Sequence, residues 1–423
     1  MEGERPYRVE GEVGRFTFTT HCVPMAQGAG YDSSRDLFPR RQGKQWYRTR
    51  GFNELGMVFG TTQNSYRKTA DWLNRIRHQP EGGTPWRTLC EATETEGSQI
   101  QKRLQEKAAR ILKTHGFDPG GAPRVPQALP YSDSPETLPA AHVQNVIRLC
   151  ERKKELEGRR IDNPICYEEP AQTVNICVDD VVVKRQKEAR SWATGNAPDA
   201  PRKYVHNTVA HIQKGQDRYI LNGQGTANVL ILLQSFLLNN ALLGNRLQFF
   251  TDGQRSLHGA IVSFFSWYPN MGIILDWYHL EKKCKELLSM GMKGRKVRNA
   301  FLEKLTPLLW HGMVDPAIEA LRNLDPALVK NRDLVDKLIG YLERNRDHIP
   351  CYAARKALGL RNSSNAGEKA NDRVVSERQK HNGMSWSRDG SVALATLSAL
   401  AKNNEHDQWF THDDIRFKFA ANG

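Results

Sequence analysis

Three aspartates and one glutamate lie where strand-like or helix-like segments end or begin, and their positions indicate a metal site. Three apolar, strand-like segments each run into an aspartate, and a later polar segment, Ser363–Trp386, opens as a helix with a glutamate. The four acids are Asp179, Asp252, Asp276 and Glu368. A carboxylate at the end of a buried strand is costly unless a cation or hydrogen bonds compensate it. Several at one sheet edge supply the oxygen ligands that Mg²⁺ takes.

The basic composition indicates a polyanionic partner. The 423-residue chain, long enough for two or three domains, has 61 lysines and arginines against 47 aspartates and glutamates, a net charge of +14. Each phosphate that such a protein neutralises releases counterions, so its affinity depends on salt. Together with the acids, this predicts a two-metal enzyme that transfers nucleic-acid strands. A basic protein with no nucleic-acid role is the alternative that charge alone leaves open.

Nothing in the sequence indicates export or insertion into a membrane. There is no run of ~18 apolar residues, so no segment is expected to span a bilayer. The N-terminus, MEGERPYRVEGEVGR, lacks an apolar signal core. The seven cysteines form no CxxC pair, so neither a disulfide framework nor a cysteine zinc site is expected. We expect a cytoplasmic, nucleoid-associated protein.

The first 115 residues are predicted to form a mainly α, helix-turn-helix-type DNA-binding domain. Gly14–Thr20 alternates as in a strand or hairpin. From Phe52 the apolar spacing is helical; Gly60-Thr61-Thr62 is expected to break this helix, and a second amphipathic helix starts near Tyr66. Arg67 and Lys68, near the start of that second helix, are expected to contact DNA. An ordinary helical bundle fits the same pattern.

The rest of the chain is predicted to form an α/β catalytic core into which an all-helical segment is inserted. Residues 116–170 are predicted as a Pro-rich linker and connecting helix. Residues 171–284 follow the order β-β-β-α-β-α-β-α, with acids at the ends of the first, fourth and fifth strands, which is the order of the RNase H-like nuclease fold. Residues 285–358 are predicted as an all-α insertion, and residues 359–423 as the second part of the core, with Glu368.

At these residues the chain resembles the DDE transposases of bacterial insertion sequences, in the branch that shares a (C/D)xxH motif and a helical insertion with the Mutator-like and hAT transposases. The motif is Asp276-Trp277-Tyr278-His279, and the resemblance covers roughly Thr173–Trp386. Where the family usually has Gly-Ser-Gly before its glutamate, this chain has Ser363-Ser364-Asn365. Because Ser and Asn are good helix caps, Glu368 can still be presented.

The resemblance implies a transposase that cleaves and joins DNA at insertion-sequence ends. Two Mg²⁺ (or Mn²⁺) ions about 3.5–4 Å apart would stabilise the attacking and leaving oxygens of the phosphodiester. Asp179 is expected to bridge both ions, and Asp252 and Glu368 each to complete one coordination sphere. Asp180 should point to the opposite side of its strand and is a reserve ligand. Glu377, roughly 180° from Glu368 around an unbroken helix, is the competing third acid.

Further residues are expected to support the site or to contact DNA. Asp276 and His279, three residues apart, can face the same cleft; a supporting or DNA-positioning role is expected, ordinary helix capping is the alternative, and too few further ligands are identifiable for a zinc site. Additional DNA contacts are expected from Arg185, Lys187, Arg190, Arg378 and Lys380. Trp386 is expected in the core rather than as a base-stacking surface.

The expected partner is double-stranded DNA, both the terminal inverted repeats of the element and the target, bound by a homodimer or higher multimer. Two other functions fit the sequence: a domesticated, transposase-derived DNA-binding protein, and an RNase H-like nuclease acting on RNA or branched DNA. The intact set of Asp179, Asp252 and Glu368 favours catalysis. The helix-turn-helix pattern favours duplex DNA.

Overall fold

The N-terminal residues form a small sheet. The structure, a computed structural model, describes residues 4–24, 30–32, 46–62, 65–79, 83–125, 135–161, 167–186, 204–380 and 384–419. The sheet has the order β3-β2-β1-β4 and comprises β1 (Glu4–Gly11), β2 (Gly14–Pro24), β3 (Gly30–Asp32) and β4 (Tyr47–Arg48). β1 and β2 form an antiparallel hairpin, with its turn between Gly11 and Gly14. The segment Gly14–Thr20, whose residues alternate in the sequence, is therefore a strand, as predicted.

Three helices follow: α1 (Arg50–Thr62), α2 (Tyr66–Ile76) and α3 (Trp86–Thr114). The predicted break at Gly60-Thr61-Thr62 is wrong, because α1 continues through Thr62. The hydroxyls of Thr61 and Thr62 donate to carbonyls four residues back, at 2.9 and 2.8 Å, a bond that threonine makes inside helices. α2 is then capped by Ser65, whose Oγ accepts from the backbone N–H of Lys68.

A five-stranded mixed sheet forms the centre of the molecule. It follows the helix α4 (Ala140–Glu151). Its elements are β5 (Thr173–Lys184), β6 (Tyr204–Lys214), β7 (Asp217–Gly223), α5 (Thr226–Asn239), β8 (Arg246–Thr251), α6 (Arg255–Phe264) and β9 (Met271–Leu275). The strand order is β7-β6-β5-β8-β9; β5, β6 and β7 pair antiparallel, whereas β5, β8 and β9 pair parallel. The predicted order of strands and helices is confirmed.

A block of helices follows β9, as the sequence predicts. It contains α7 (Trp277–Gly291), α8 (Arg295–Trp310), α9 (Val314–Arg322), α10 (Arg332–Arg344) and α11 (Tyr352–Ala357). These helices bury their apolar faces in one cluster, which includes Leu288, Leu305 and Leu338. Two tyrosine hydroxyls tie the block to the sheet edge: Tyr341 donates to the carbonyl of Asp252 at 3.0 Å, and Tyr352 to that of Leu275 at 2.6 Å.

The chain then returns to the sheet. α12 (Asn365–Asn371) continues into a π-helical segment, Asp372–Ser376, and a short turn of α-helix, Glu377–Gln379. α13 (Arg388–Lys402) and α14 (His406–His412) complete the described chain. π-Helical segments are rare and are found mostly as single turns near functional sites. Within the described ranges, no helix is both long and apolar enough to cross a membrane.

The N-terminal helices share a hydrophobic core with the central sheet. The shared cluster includes Met57, Ile100, Ala108, Ile176, Phe236, Phe249 and Leu397. α3 passes so close to α13 that a Cβ atom on Gly97 would lie 2.5 Å from the carbonyl oxygen of Ala393, so only glycine fits there. The predicted boundary at residue 115 therefore crosses a continuous core, and residues 1–115 are not expected to fold as a separate fragment.

Candidate functional site

The strand register brings the predicted aspartates to one edge of the sheet. Cys177 of β5 lies opposite Phe250 of β8, and Thr251 of β8 lies opposite Leu275 of β9. Asp252 and Asp276 directly follow β8 and β9, as predicted. Asp179 lies two residues beyond Cys177 but inside β5, which continues to Lys184 through its pairing with β6, so its predicted position at the end of the strand is wrong. A cavity of about 20 Å³ lies at this edge and is lined by, among others, Asp179, Asp252, His279, Glu368 and Asn371. The predicted metal ligands and the predicted supporting histidine thus surround one cavity.

Asp179 is held in place by two hydrogen bonds. Its Oδ1 accepts from the backbone N–H of Asp180 at 2.8 Å, and its Oδ2 accepts from the Asn371 amide at 2.7 Å. Burial and then repulsion by Asp252 raise the pKa of the Asp179 carboxyl, since both disfavour its charged form. Asp180 accepts instead from the Thr208 hydroxyl on β6 and does not line the cavity, in agreement with its expected position.

Asp252 stands at the turn between β8 and α6. Its Oδ1 accepts from the backbone N–H of Gln254 at 2.8 Å, which closes the turn. Gly253 has a φ of +84°, a conformation that favours glycine. The Tyr341 hydroxyl fixes the other side through the Asp252 carbonyl. The carboxylate is therefore presented by a turn that two elements hold.

Glu368 reaches the cavity from α12. The residue before it, Gly367, packs directly on β5: a Cβ atom there would lie 2.6 Å from the Cβ of Cys177. The Glu368 Oε1 atom is buried, and no hydrogen-bond partner reaches it among the residues that the structure describes. Burial raises the pKa of the Glu368 carboxyl. Glu377, the competing third acid, is exposed and does not line the cavity.

Asp276 and His279 form a buried hydrogen-bond network beside the cavity. Asp276 is fully buried; its Oδ1 caps α7 through the N–H of Tyr278 at 3.1 Å. Its Oδ2 accepts from the Ser364 hydroxyl at 2.5 Å and faces His279 Nδ1 at 2.7 Å. The other ring nitrogen, Nε2, lies 3.6 Å from Glu368 Oε1. The hydrogen bond with Asp276 raises the pKa of the His279 imidazole.

Two contacts in this network were missed from the sequence. The run Ser363-Ser364-Asn365 is predicted to cap the glutamate helix. Ser364 stands at the N-cap position but makes no side-chain capping bond, because its hydroxyl donates to Asp276. Asn371 is not among the predicted site residues. Its position three residues after Glu368 could have indicated a shared helix face, and therefore a role near the same carboxylates.

The predicted DNA contact of Arg378 is wrong for the described structure. Its side chain is 3% exposed, and its Nε donates to the carbonyl of Gly60 at 2.9 Å. The guanidinium also lies over the rings of Tyr66 and Trp386, 4.9 and 5.1 Å from their centroids. Arg378 therefore joins the end of α1 and the start of α2 to the segment that follows α12. Trp386 is buried, as predicted.

The different burial of Arg378 and Lys380 gives a testable contrast. Arg378→Met should lower the free energy of unfolding by about 2 kcal/mol, because it removes a charge-assisted hydrogen bond and two cation–π contacts. It should leave the salt dependence of DNA binding unchanged. Lys380 is exposed, so Lys380→Ala should reduce the slope of log K against log salt by about 1 at unchanged stability. Chemical denaturation and salt titrations would measure both quantities. A reduced slope with normal stability in Arg378→Met would restore Arg378 as a phosphate contact.

The other predicted DNA contacts differ in their surroundings. Arg67 and Lys68 lie exposed on α2, with the Arg67 guanidinium 5.4 Å from the centroid of the Trp86 ring. Arg185 is half-buried and forms a β-bridge with Trp386. Lys187 and Arg190 lie outside the described residues.

Comparison with known proteins gives little direct guidance. No protein-family model matches the chain, and no curated protein matches it. Among solved structures, a chain of the Drosophila P element transposase strand transfer complex aligns with 91% of this chain and 89% of its own length, at 11% identity and a TM-score of 0.27. A TM-score of this size does not establish a shared fold.

Proposed function

We propose that the chain is a DDE transposase that cleaves and joins DNA at the ends of an insertion sequence. The observation that carries this proposal is the cavity at the sheet edge. It is lined by two aspartates from neighbouring parallel strands and by a glutamate from a helix about 115 residues later in the chain: Asp179, Asp252 and Glu368. Carboxylates from separate segments around one small cavity are the ligands that a pair of hard divalent ions requires.

The sheet supports an RNase H-like core. Three antiparallel strands come first, and the parallel strands β8 and β9 are added beside β5. Asp252 and Asp276 directly follow the fourth and fifth strands, and Asp179 lies within the first strand, two residues after its parallel pairing with β8 ends at Cys177. α7 is the last helix of the first part of the core, and residues 285–358, which include α8 to α11, are assigned as the insertion that separates it from the helix of Glu368.

The site residues fit a divalent cation. The pKa of Asp179 is raised by burial and by Asp252, and the pKa of Glu368 by burial; a bound cation would offset these penalties. Asp179, Asp252 and Glu368 would hold two Mg²⁺ or Mn²⁺ ions, which act as Lewis acids on the phosphodiester oxygens. Asn371 and the N–H groups of Asp180 and Gln254 keep the two aspartate carboxylates oriented towards the cavity.

DNA recognition is assigned to the exposed face of α2. It carries Arg67, Lys68 and Arg75 together with two large apolar side chains, Trp72 and Ile76, which are 56% and 55% exposed. Cations can contact phosphates, while an exposed aromatic or aliphatic side chain can pack on base edges in the major groove. We assign terminal inverted repeats and target DNA as the bound partners, with a dimer or higher multimer as the active form.

The role of α2 predicts a change in salt dependence. Arg67→Ala with Lys68→Ala should lower the slope of log K against log salt by about 2, since each phosphate contact contributes roughly 0.9. The matched control is Lys153→Ala with Lys154→Ala, an exposed basic pair near the end of α4, and its slope should equal that of the wild type. An equal decrease of the slope in the two double variants would show that binding depends on the overall positive charge of the protein rather than on α2.

The proposal is tested by incubating the purified full-length chain with DNA that carries its gene and flanking sequence, in Mg²⁺ or Mn²⁺. Cleavage at two defined ends, followed by joining to a second DNA, is expected. Specific binding of the ends without cleavage would favour the domesticated DNA-binding protein. Cleavage of RNA–DNA hybrids or branched DNA without end specificity would favour the nuclease.

A further inference from the structure

We propose that His279 binds one of the catalytic ions directly through Nε2, with Asp276 as the residue that orients its ring. The site would then take a transition-metal ion such as Mn²⁺ in preference to Mg²⁺. This inference rests on the proposed function for the assignment of Glu368 as a metal ligand. It goes beyond that function because the sequence predicted oxygen ligands alone and gave His279 only a supporting role.

The hydrogen bond to Asp276 fixes which nitrogen faces the cavity. Asp276 is fully buried and accepts from Ser364 and from the backbone of Tyr278, so its position is fixed. A carboxylate only accepts hydrogen bonds, so His279 donates from Nδ1, and in its neutral form the imidazole carries the lone pair on Nε2. Histidines that bind metals almost always donate their second ring N–H to a carboxylate, a carbonyl or water. The pair Asp276–His279 has this arrangement without any rotation of the ring.

The distance across the cavity suits an ion rather than a hydrogen bond. His279 Nε2 and Glu368 Oε1 are 3.6 Å apart, beyond the range of 2.7–3.2 Å that is usual for a nitrogen–oxygen hydrogen bond. Two ligands that each lie roughly 2.1 Å from one ion are separated by roughly 3.0–3.6 Å, depending on the angle between them. Glu368 Oε1 is buried and has no hydrogen-bond partner among the described residues. An ion between the two atoms would satisfy both.

The same residues form a compact ligand group. Ligand atoms of Asp276, His279 and Glu368 all lie within 4.8 Å of one another. We assign Asp276 to orientation rather than to coordination, because its Oδ2 already contacts His279 Nδ1 and Ser364. Asp179 and Asp252 line the same cavity and can complete the ligand set with oxygen.

A mixed set of imidazole and carboxylate ligands determines the preference among metals. Mg²⁺ takes oxygen ligands almost exclusively. Imidazole nitrogen suits first-row transition-metal ions better, and the affinity of a given site for these ions rises from Mn²⁺ towards Cu²⁺. The cavity of about 20 Å³ has room for about one water-sized occupant. We therefore expect one ion to bind tightly before DNA arrives, with His279 among its ligands.

Pulsed electron paramagnetic resonance on the full-length protein with one equivalent of Mn²⁺ tests this directly. The wild type should show modulation from a coordinated ¹⁴N nucleus, and His279→Ala should lose it while still binding Mn²⁺ through the carboxylates. Asp276→Asn should weaken Mn²⁺ binding by about 10–100-fold, whereas Mg²⁺ affinity in His279→Ala should change by less than about twofold. His142→Ala, an exposed histidine of α4, is the matched control and should keep the ¹⁴N signal.

The outcomes separate the ligand assignment from the proposed function. Bound Mn²⁺ without ¹⁴N modulation in the wild type would overturn the ligand role of His279, even if DNA ends are cleaved. Persistence of the ¹⁴N signal in His279→Ala would also overturn it. A ¹⁴N signal that His279→Ala removes, in a protein that cleaves no DNA, would support the ligand role while the transposase assignment fails. The wild-type measurement needs no variant, so a folding defect in His279→Ala would not block the test.

Discussion

Asp179→Asn, Asp252→Asn and Glu368→Gln are each expected to lower metal-dependent DNA cleavage by on the order of 10³-fold, with less than about a twofold change in DNA affinity. The metals stabilise charge that develops in the transition state, so the loss of a ligand affects the rate of the chemical step. Affinity comes mainly from phosphate contacts made elsewhere on the protein. Cleavage kinetics and binding titrations on the same DNA would measure both effects.

The stability of Asp179→Asn provides an internal control for folding. The pKa of Asp179 is raised in the folded protein, so the native state binds this proton more tightly than the unfolded state. Stability is therefore lost as pH rises from the ordinary aspartate pKa through the raised one, and the ionised carboxylate destabilises the metal-free protein at neutral pH. Asparagine removes that charge, so the variant should unfold at a temperature equal to or above that of the wild type.

The third acid has its own matched control. Glu377→Gln alters an exposed carboxylate in the same stretch of helix and should keep full activity. Full activity in Glu368→Gln together with loss in Glu377→Gln would show that Glu377 is the third acid. That result would also require a different face of α12 and of the π-helical segment to point into the cavity.

Gly367→Ala is expected to reduce cleavage by about 10–100-fold. The new Cβ atom would lie 2.6 Å from the Cβ of Cys177, so α12 must move away from β5 by roughly 1 Å. A displacement of that size at a catalytic group can cost about 100-fold in rate. Overpacking should also lower the free energy of unfolding by about 1–3 kcal/mol. Single-turnover cleavage and chemical denaturation would separate the two effects.

Gly259→Ala is the matched control for this substitution. Gly259 lies in α6, and no atom lies within 4 Å of the position its Cβ would take. Alanine there should raise stability by about 0.5–1 kcal/mol and leave cleavage unchanged. In the Gly367→Ala background, Cys177→Gly should restore part of the activity, whereas Cys177→Ala should not, because alanine keeps the clashing Cβ. Wild-type activity in Gly367→Ala would show that the position of Glu368 tolerates this shift.

The order of strands and helices along the chain could be predicted because it depends on local patterns. Apolar runs give the strands, and the parallel pairing of β5, β8 and β9 brings the ends of their paired segments to one edge of the sheet. Asp252 follows directly after its strand, as that rule predicts, whereas Asp179 lies inside β5, which continues to Lys184. The end of α1 could not be placed as well, because the threonines after Gly60 extend the helix through their own side-chain hydrogen bonds.

Contacts between segments that lie far apart along the chain could not be predicted from the sequence. The burial of Arg378 depends on Gly60, more than 300 residues earlier in the chain. Without knowledge of that contact, a basic residue in a polar helix is predicted to be exposed. The network around Asp276 depends in the same way on Ser364, which comes from a different element. The position of His279 Nε2 follows from that network, so its approach to Glu368 could not be read from the spacing of the DWYH motif.

The close contact between Gly97 and Ala393 has a consequence for biosynthesis. α3 leaves the ribosome early, but the helix against which Gly97 packs is synthesised about 300 residues later. At 5–20 residues per second, that interval lasts about 15–60 s. During this time the part of α3 around Gly97 lacks its native partner, α13, so we expect the nascent chain to depend on chaperones. Chains that stop before α13 would lack this partner permanently, and such truncated products should be removed by proteolysis before they can compete for DNA ends.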